Sequence, residues 1–277
     1  MGIGSPTNDP IDPDGSLSIE ISDTVLQSDA ITLDFSNSEC AARRARSVLS
    51  LSHSVVRGSG FVGVHVVNFY TGDWSNDPSD GPEIRATVAF NRFYNNGTAL
   101  RAVGGDEGTD GGTVILHTMG NVFQNNGTNL QARGAVGRVE LPTVGNRLVL
   151  RSDFDTFGEA DLNLFLTGGV FVGPGDAVGN TIEAEFYGSH FLRDSRDAGP
   201  EVTIGGESGS DNHVEVLFRQ ATVTTSGGGP VKGALSIYDE SGEETAPNTA
   251  RLEGSRRDFM RSNQGLPAPP AHFFLEQ

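Results

Sequence analysis

Apolar and polar positions along this chain recur on a fixed ruler. Counting from Pro82 as zero, apolar residues fall at +2, +4, +6 and +11: Ile84, Ala86, Val88 and Phe93. The same offsets from Gly112 give Val114, Leu116, Thr118 and Phe123, and from Asn180 they give Ile182, Ala184, Phe186 and Phe191. Asn212 yields Val214, Val216, Phe218 and Val223, and Asn248 yields Ala250, Leu252, Gly254 and Phe259. The copy at Asn146 reads as shortened, with Leu148 and Leu150 and then Phe154, as though three residues had been removed before the turn. Alternation over +2 to +6 is the period of a strand, and the later apolar residue sits beyond a polar corner. No helix-length stripe of 3.6 period appears in any copy. The repeat is plainest in Asn91-Arg92-Phe93-Tyr94-Asn95-Asn96-Gly97-Thr98, which returns thirty residues later as Asn121-Val122-Phe123-Gln124-Asn125-Asn126-Gly127-Thr128. A weaker copy places Leu266 seven residues after Phe259.

Successive starting points lie 30 to 36 residues apart. A unit of that length holds three short strands and their turns, and it cannot bury its apolar face alone. Stacking each unit on the last solves that problem, with like strands forming parallel sheets. The expected fold is all-β: a single-stranded, right-handed parallel β-helix of about eight coils, roughly 40 Å long at about 4.8 Å per coil. An antiparallel sandwich would also use short strands and frequent turns, but its strands need not repeat at 30-residue intervals. Residues 1–15, rich in Pro, Asp and Gly, read as a flexible arm, and 16–277 as one β-helix domain with a C-terminal capping segment. Ile19, Ile21, Ile31, Leu33 and Phe35 mark early strands. Ser36 with Glu39 reads as a capping box ahead of a turn of helix through Arg46.

The 37 glycines and 13 prolines among 277 residues suit such a turn-rich chain. The net charge of −17 argues against nucleic acid and anionic membranes as partners, since both require a basic surface. Cys40 is the sole cysteine, which excludes an intrachain disulfide and a cysteine-based zinc site. The first residues lack the pattern of a signal peptide, and no apolar run reaches membrane-spanning length. The compartment is therefore not fixed by the sequence; removal of an export signal would place the protein outside the cell or at its surface. The oligomeric state is not legible either.

Phe-x-x-Asn-Gly-type turns, Gly-Gly pairs at coil ends (Gly104-Gly105, Gly168-Gly169, Gly205-Gly206) and the asparagines that open coils make the chain, from about residue 16 onward, resemble the right-handed parallel β-helix or pectin-lyase-like superfamily. The resemblance implies inward asparagine or aliphatic ladders. It also implies the chemistry some members perform, in which polysaccharide lyases place an Arg or Lys on a sheet face, often with calcium held by aspartates. The Asn-Thr-Asp, Asp-Asp and Gly-His-Gly motifs of polygalacturonases and the Asp-Pro-His-Asp of alginate epimerases are absent. Only Arg151 can be carried across, as a lyase-like base.

Residues between the inward ones face solvent. Position +3 of successive copies reads Arg85, Ile115, Val149, Glu183, Glu215 and Arg251; position +5 reads Thr87, His117, Arg151, Glu185, Leu217 and Glu253. His117, Arg151 and Glu185 are 34 residues apart each time, so they should occupy consecutive rungs with Glu183 and Glu215 alongside. A histidine or arginine beside carboxylates has the ingredients of acid–base chemistry, and neighbouring carboxylates push one another's pKa apart. His117, Arg151, Glu183, Glu185 and Glu215 are therefore the candidate catalytic residues. Trp74 and Tyr70 on a polar loop, with Arg85, are the candidate substrate-binding residues, an aromatic there being a platform for sugar rings. The same column is also what a soluble sheet face requires.

No cofactor is expected. Weak calcium binding is the one option, at the Asp9, Asp12, Asp14 segment or the turn from Asp106 to Asp110, where solvated loops are the ordinary reading. His53, His65, His190, His213 and His272 show no metal-ligand spacing. The functional expectation is a protein engaging an extended carbohydrate on one sheet face, as a polysaccharide lyase or glycoside hydrolase. The alternative is a non-catalytic surface, adhesive or tailspike-like module.

Overall fold

The computed structural model describes residues 2–4, 16–37, 46–69, 81–106, 109–137, 143–171, 177–193, 201–206, 211–225, 234–239, 249–254 and 273–275. The protein is all-β, with no helix among these residues, and its strands stack into a parallel β-solenoid. Each coil contributes in turn to three sheets. Sheet I holds nine strands, seven of them seven residues long, among them Arg46–Ser52, Glu83–Ala89, Thr113–Met119, Arg147–Asp153, Thr181–Tyr187 and His213–Arg219. Sheet II holds seven short strands, including Val55–Arg57, Arg92–Tyr94, Val122–Gln124 and Thr156–Phe157. Sheet III holds eight, the longest being Asn126–Gly137 and Ala160–Phe171. Pairing is parallel throughout the three sheets, as stacking of like strands demands.

The ruler decides what lies inside. Ile84, Ala86, Val88 and Phe93 are buried, as are their counterparts Val114, Leu116, Thr118 and Phe123 one coil on. Phe93, Phe123, Phe157 and Phe191 form a column of stacked rings with centroids 4.8, 5.1 and 4.8 Å apart. That spacing is the inter-strand distance of the sheet, so each ring stacks on its equivalent without departing from the backbone repeat.

The copy at Asn146 corrects the sequence reading. Phe157, at +11, is the buried ring and pairs in register with Phe123. Phe154 sits at the corner, 59% exposed, with φ of 57°. No residues are missing; Ser152 fills +6 with a small buried side chain, which disguised the repeat as a deletion. Ser36, expected to cap a helix, is instead in strand Ile31–Asn37, opposite Val67. Residues 38–45, which would hold the expected helical turn, lie outside the described residues, as do Tyr70, Trp74, the Asp9 to Asp14 segment, His272 and the first part of the capping segment.

Corners follow one recipe: a residue in the left-handed region, then a polar side chain that bonds to the neighbouring coil. Between sheets I and II the left-handed position is Asp23, His53, Phe90, Gly120, Phe154, Gly188 and Gln220 in successive coils. Glycine at Gly188 serves packing as well as φ, because a Cβ there would lie 2.6 Å from the Phe154 ring that folds over it. After that position come Asn91, Asn121 and Asp155. Asn91 N and Nδ2 donate to Asn121 Oδ1 at 2.9 and 3.1 Å, and Asn121 N and Nδ2 donate to Asp155 Oδ1 at 2.7 and 2.9 Å. A second ladder runs Asn146, Asn180, Asn212 and a third joins Asn96 to Asn126, so the polar backbone of three corners is satisfied inside the coil. Asn96 and Asn126, which open Asn-Gly-Thr glycosylation patterns, are thereby buried.

Candidate functional site

The outward face of sheet I carries the predicted residues in the predicted register. Ile115 lies opposite Arg85 and Val149, Val149 opposite Glu183, and Glu183 opposite Glu215. In the next column Thr87, His117, Arg151, Glu185 and Leu217 follow one another. Period-two alternation places both columns on one face, since their partners at +2, +4 and +6 point into the core.

The centre of this face is a carboxylate that the sequence analysis did not single out. Asp153, at +7, accepts from His117 Nε2 at 2.9 Å and from Arg151 Nε at 2.8 and 3.1 Å. Its side chain is only 10% exposed, whereas that of His117 is 38% exposed and that of Arg151 57%. An ionised carboxylate only accepts, so His117 holds its proton on Nε2 and leaves Nδ1 as the basic nitrogen. Asp153 went unnoticed because the outward columns were read only at +3 and +5, two residues short of its place at the strand end. Asp153 is the last outward residue of its strand.

The pairing also sets the roles of the cations and acids. The hydrogen bond and charge of Asp153 push the Arg151 guanidinium pKa up. Arg147 donates Nε and Nη2 to Glu183 at 2.9 and 2.7 Å, a bidentate pair. That hydrogen bond is the main reason the Glu183 carboxyl is held below its ordinary value, opposed by partial burial and reinforced by the Arg147 charge. Glu183 is therefore a fixed anion, unsuited to giving up a proton. Glu185 pairs with Arg219 at 3.2 Å, and Arg85 with Glu83 at 2.7 Å. Glu215 stands beside Glu183 and opposite Arg251 across the sheet.

At the corner bordering this face, Phe90 and Phe154 expose half or more of their surface. Phe90 stacks on His53 at 5.4 Å, and Phe154 meets Tyr187 edge-on at 5.3 Å. These rings add apolar surface at that corner, whereas the expected platform residues Trp74 and Tyr70 lie outside the described residues. The remaining histidines are dispersed: His65 is buried 3.3 Å from Asp34 on sheet III, and His190 meets Thr222 on sheet II. Among the described residues no three His, Cys, Asp or Glu side chains cluster in a way that could hold a metal ion.

Comparison of the chain with protein-family profiles, with curated proteins and with solved structures returns no match. Fold and geometry thus define the class, a parallel β-solenoid with a charged, histidine-containing sheet face.

Proposed function

We propose that the outward face of sheet I engages an extended carbohydrate, with His117, Asp153 and Arg151 as a proton-transfer centre. The observation that carries this reading is the His117–Asp153 contact at 2.9 Å with Arg151 on the same carboxylate. Asp153 orients the imidazole so that Nδ1 faces outward and takes a proton from a sugar carbon. Arg151 stabilises the anion that results, which collapses to a C=C bond as the neighbouring glycosidic C–O bond breaks, the leaving oxygen taking a proton from solvent. Elimination fits this set better than hydrolysis, because Glu183 is held ionised by Arg147 and so does not supply a general acid. Glu185 and Glu215 remain as hydrogen-bond acceptors for sugar hydroxyls along the rungs.

A second reading has its own support. Arg147 with Glu183, Arg219 with Glu185 and Arg85 with Glu83 pair charges along the face, as a non-catalytic surface or adhesive module needs for solubility. A glycan-binding screen, with ultraviolet absorbance to detect unsaturated products, separates the two. For wild type, His117→Ala and Arg151→Ala, the first reading expects glycan binding, with His117→Ala slowing product formation by about 10²–10⁴-fold while binding is retained. Arg151→Ala weakens both. No glycan bound by wild type, or no product from any of the three proteins, leaves the second reading standing, and equal product formation by all three removes the proposed centre.

A further inference from the structure

Sheet II presents a face with different chemistry. Its outward column runs Gln27, Arg57, Tyr94, Gln124, and Arg92 stands beside it between Val55 and Val122. Arg57 donates Nε to Gln27 Oε1 at 3.0 Å and Nη1 to the Tyr94 hydroxyl at 2.8 Å. Both partners are neutral, so the guanidinium is oriented without being neutralised. Arg92 is exposed, and its guanidinium, unlike its backbone N–H, makes no hydrogen bond or ion pair with a described residue. This differs from sheet I, where Arg85, Arg147, Arg151 and Arg219 each meet a carboxylate.

Among the described outward positions of sheet II there is no acidic side chain. The carboxylates at its corners, Asp23, Asp29 and Glu159, lie two rungs from Arg92 along the stack. Two rungs amount to about 9.6 Å, roughly a Debye length in physiological salt. In a chain of net charge −17, two adjacent-rung arginines without a carboxylate partner form a local reversal of sign. Arg92 lines a depression of about 540 Å³ together with Phe93, Tyr94, Val122 and Gln124, and Arg57 adjoins it through its hydrogen bond to the Tyr94 hydroxyl. That volume is in the range of small-ligand sites, about 300–1,000 Å³.

We propose that this depression is a second ligand site, separate from sheet I, which takes a small saccharide bearing an oxyanion, either carboxylate or sulfate. Arg92 binds the oxyanion, because a planar guanidinium offers paired donors to such groups, and Arg57 on the adjacent rung adds positive charge and holds the Tyr94 hydroxyl in place. The Tyr94 hydroxyl and the Gln124 amide serve sugar hydroxyls, and Val122 supplies an apolar patch for the ring. The proposal does not depend on glycan binding at sheet I.

Isothermal titration of the full chain with glucuronate, glucose 6-sulfate, glucose and inorganic sulfate tests it, using wild type, Arg92→Gln and His117→Ala. At least one charged sugar is expected to bind wild type, and the stronger of the two identifies the oxyanion. Its affinity should fall tenfold or more in Arg92→Gln and stay unchanged in His117→Ala, and glucose should bind at least tenfold more weakly. Retention of thermal stability by Arg92→Gln, whose side chain is exposed, shows that the loss is local. Absence of binding by both charged sugars, or equal affinity for wild type and Arg92→Gln, overturns the proposal. Loss in His117→Ala alone assigns the binding to sheet I and likewise overturns it. Inorganic sulfate binding as tightly as the sugars would show an adventitious ion only.

Discussion

At the scale of the residue, phenylalanine illustrates how position outranks chemistry. Phe157 and Phe154 are three residues apart, yet one is fully buried in the ring stack and the other is 59% exposed at a corner with positive φ. Removing the Phe157 ring opens a void between Phe123 and Phe191, so Phe157→Ala is expected to cost about 3–5 kcal/mol. Phe154→Ala gives up only partial contact with Gly188 and Tyr187, and its cost should stay below about 1 kcal/mol. Chemical denaturation of the two variants measures both. Equal losses would contradict the register of the fifth coil, the one that opens at Asn146.

At the scale of the element, the corner ladders bind coil to coil, and one of them contains a charge. Asp155 occupies a ladder position held by asparagine in the two preceding coils. It accepts from Asn121 N and Nδ2, from Ser152 Oγ at 2.7 Å and from Thr118 Oγ1 at 2.5 Å. Burial is the dominant influence and raises its pKa, against the lowering effect of those four donors. The native state therefore holds the proton more tightly than the unfolded chain does. The associated stability is fully present below the unfolded value, about 3.9, and declines as pH rises from there towards the folded value. Asp155→Asn keeps an acceptor for Asn121, offers an amide donor towards the hydroxyls and removes the charge. Its melting temperature should exceed that of wild type at pH 8, with the gap closing as pH falls towards 4. A gap independent of pH would show that Asp155 does not titrate in this way.

At the scale of the whole molecule, the solenoid converts sequence periodicity into a linear array. Each coil contacts its neighbours, and equivalent outward side chains repeat at about 4.8 Å along the axis. A ligand that follows the axis meets His117, Arg151 and Glu185 on consecutive rungs, so the sheet I proposal makes a prediction about length. Affinity for a neutral or weakly charged glycan should rise with each added sugar until the oligomer spans these rungs, and then level off. Titration with a graded oligosaccharide series measures this. An affinity independent of length would place binding at a single pocket and count against use of the face as an extended platform.

The sequence by itself determined the class of fold and the composition of the outward columns. An offset repeated over 30 to 36 residues leaves few ways to bury Phe93 and Phe123 together other than stacking them. Period-two alternation then assigns Arg85, His117, Arg151, Glu183, Glu185 and Glu215 to one face before any coordinate is known. It could not determine which ring enters the core in the fifth coil, since Phe154 and Phe157 are both plausible until neighbouring strands fix the register. Nor could it show the state of each charge. Asp153 beneath His117, Arg147 clamping Glu183, and Arg57 held by neutral partners all arise from contacts between coils, where residues some thirty positions apart meet. Those contacts depend on side-chain direction and on what lies one rung away, and only the assembled stack supplies both.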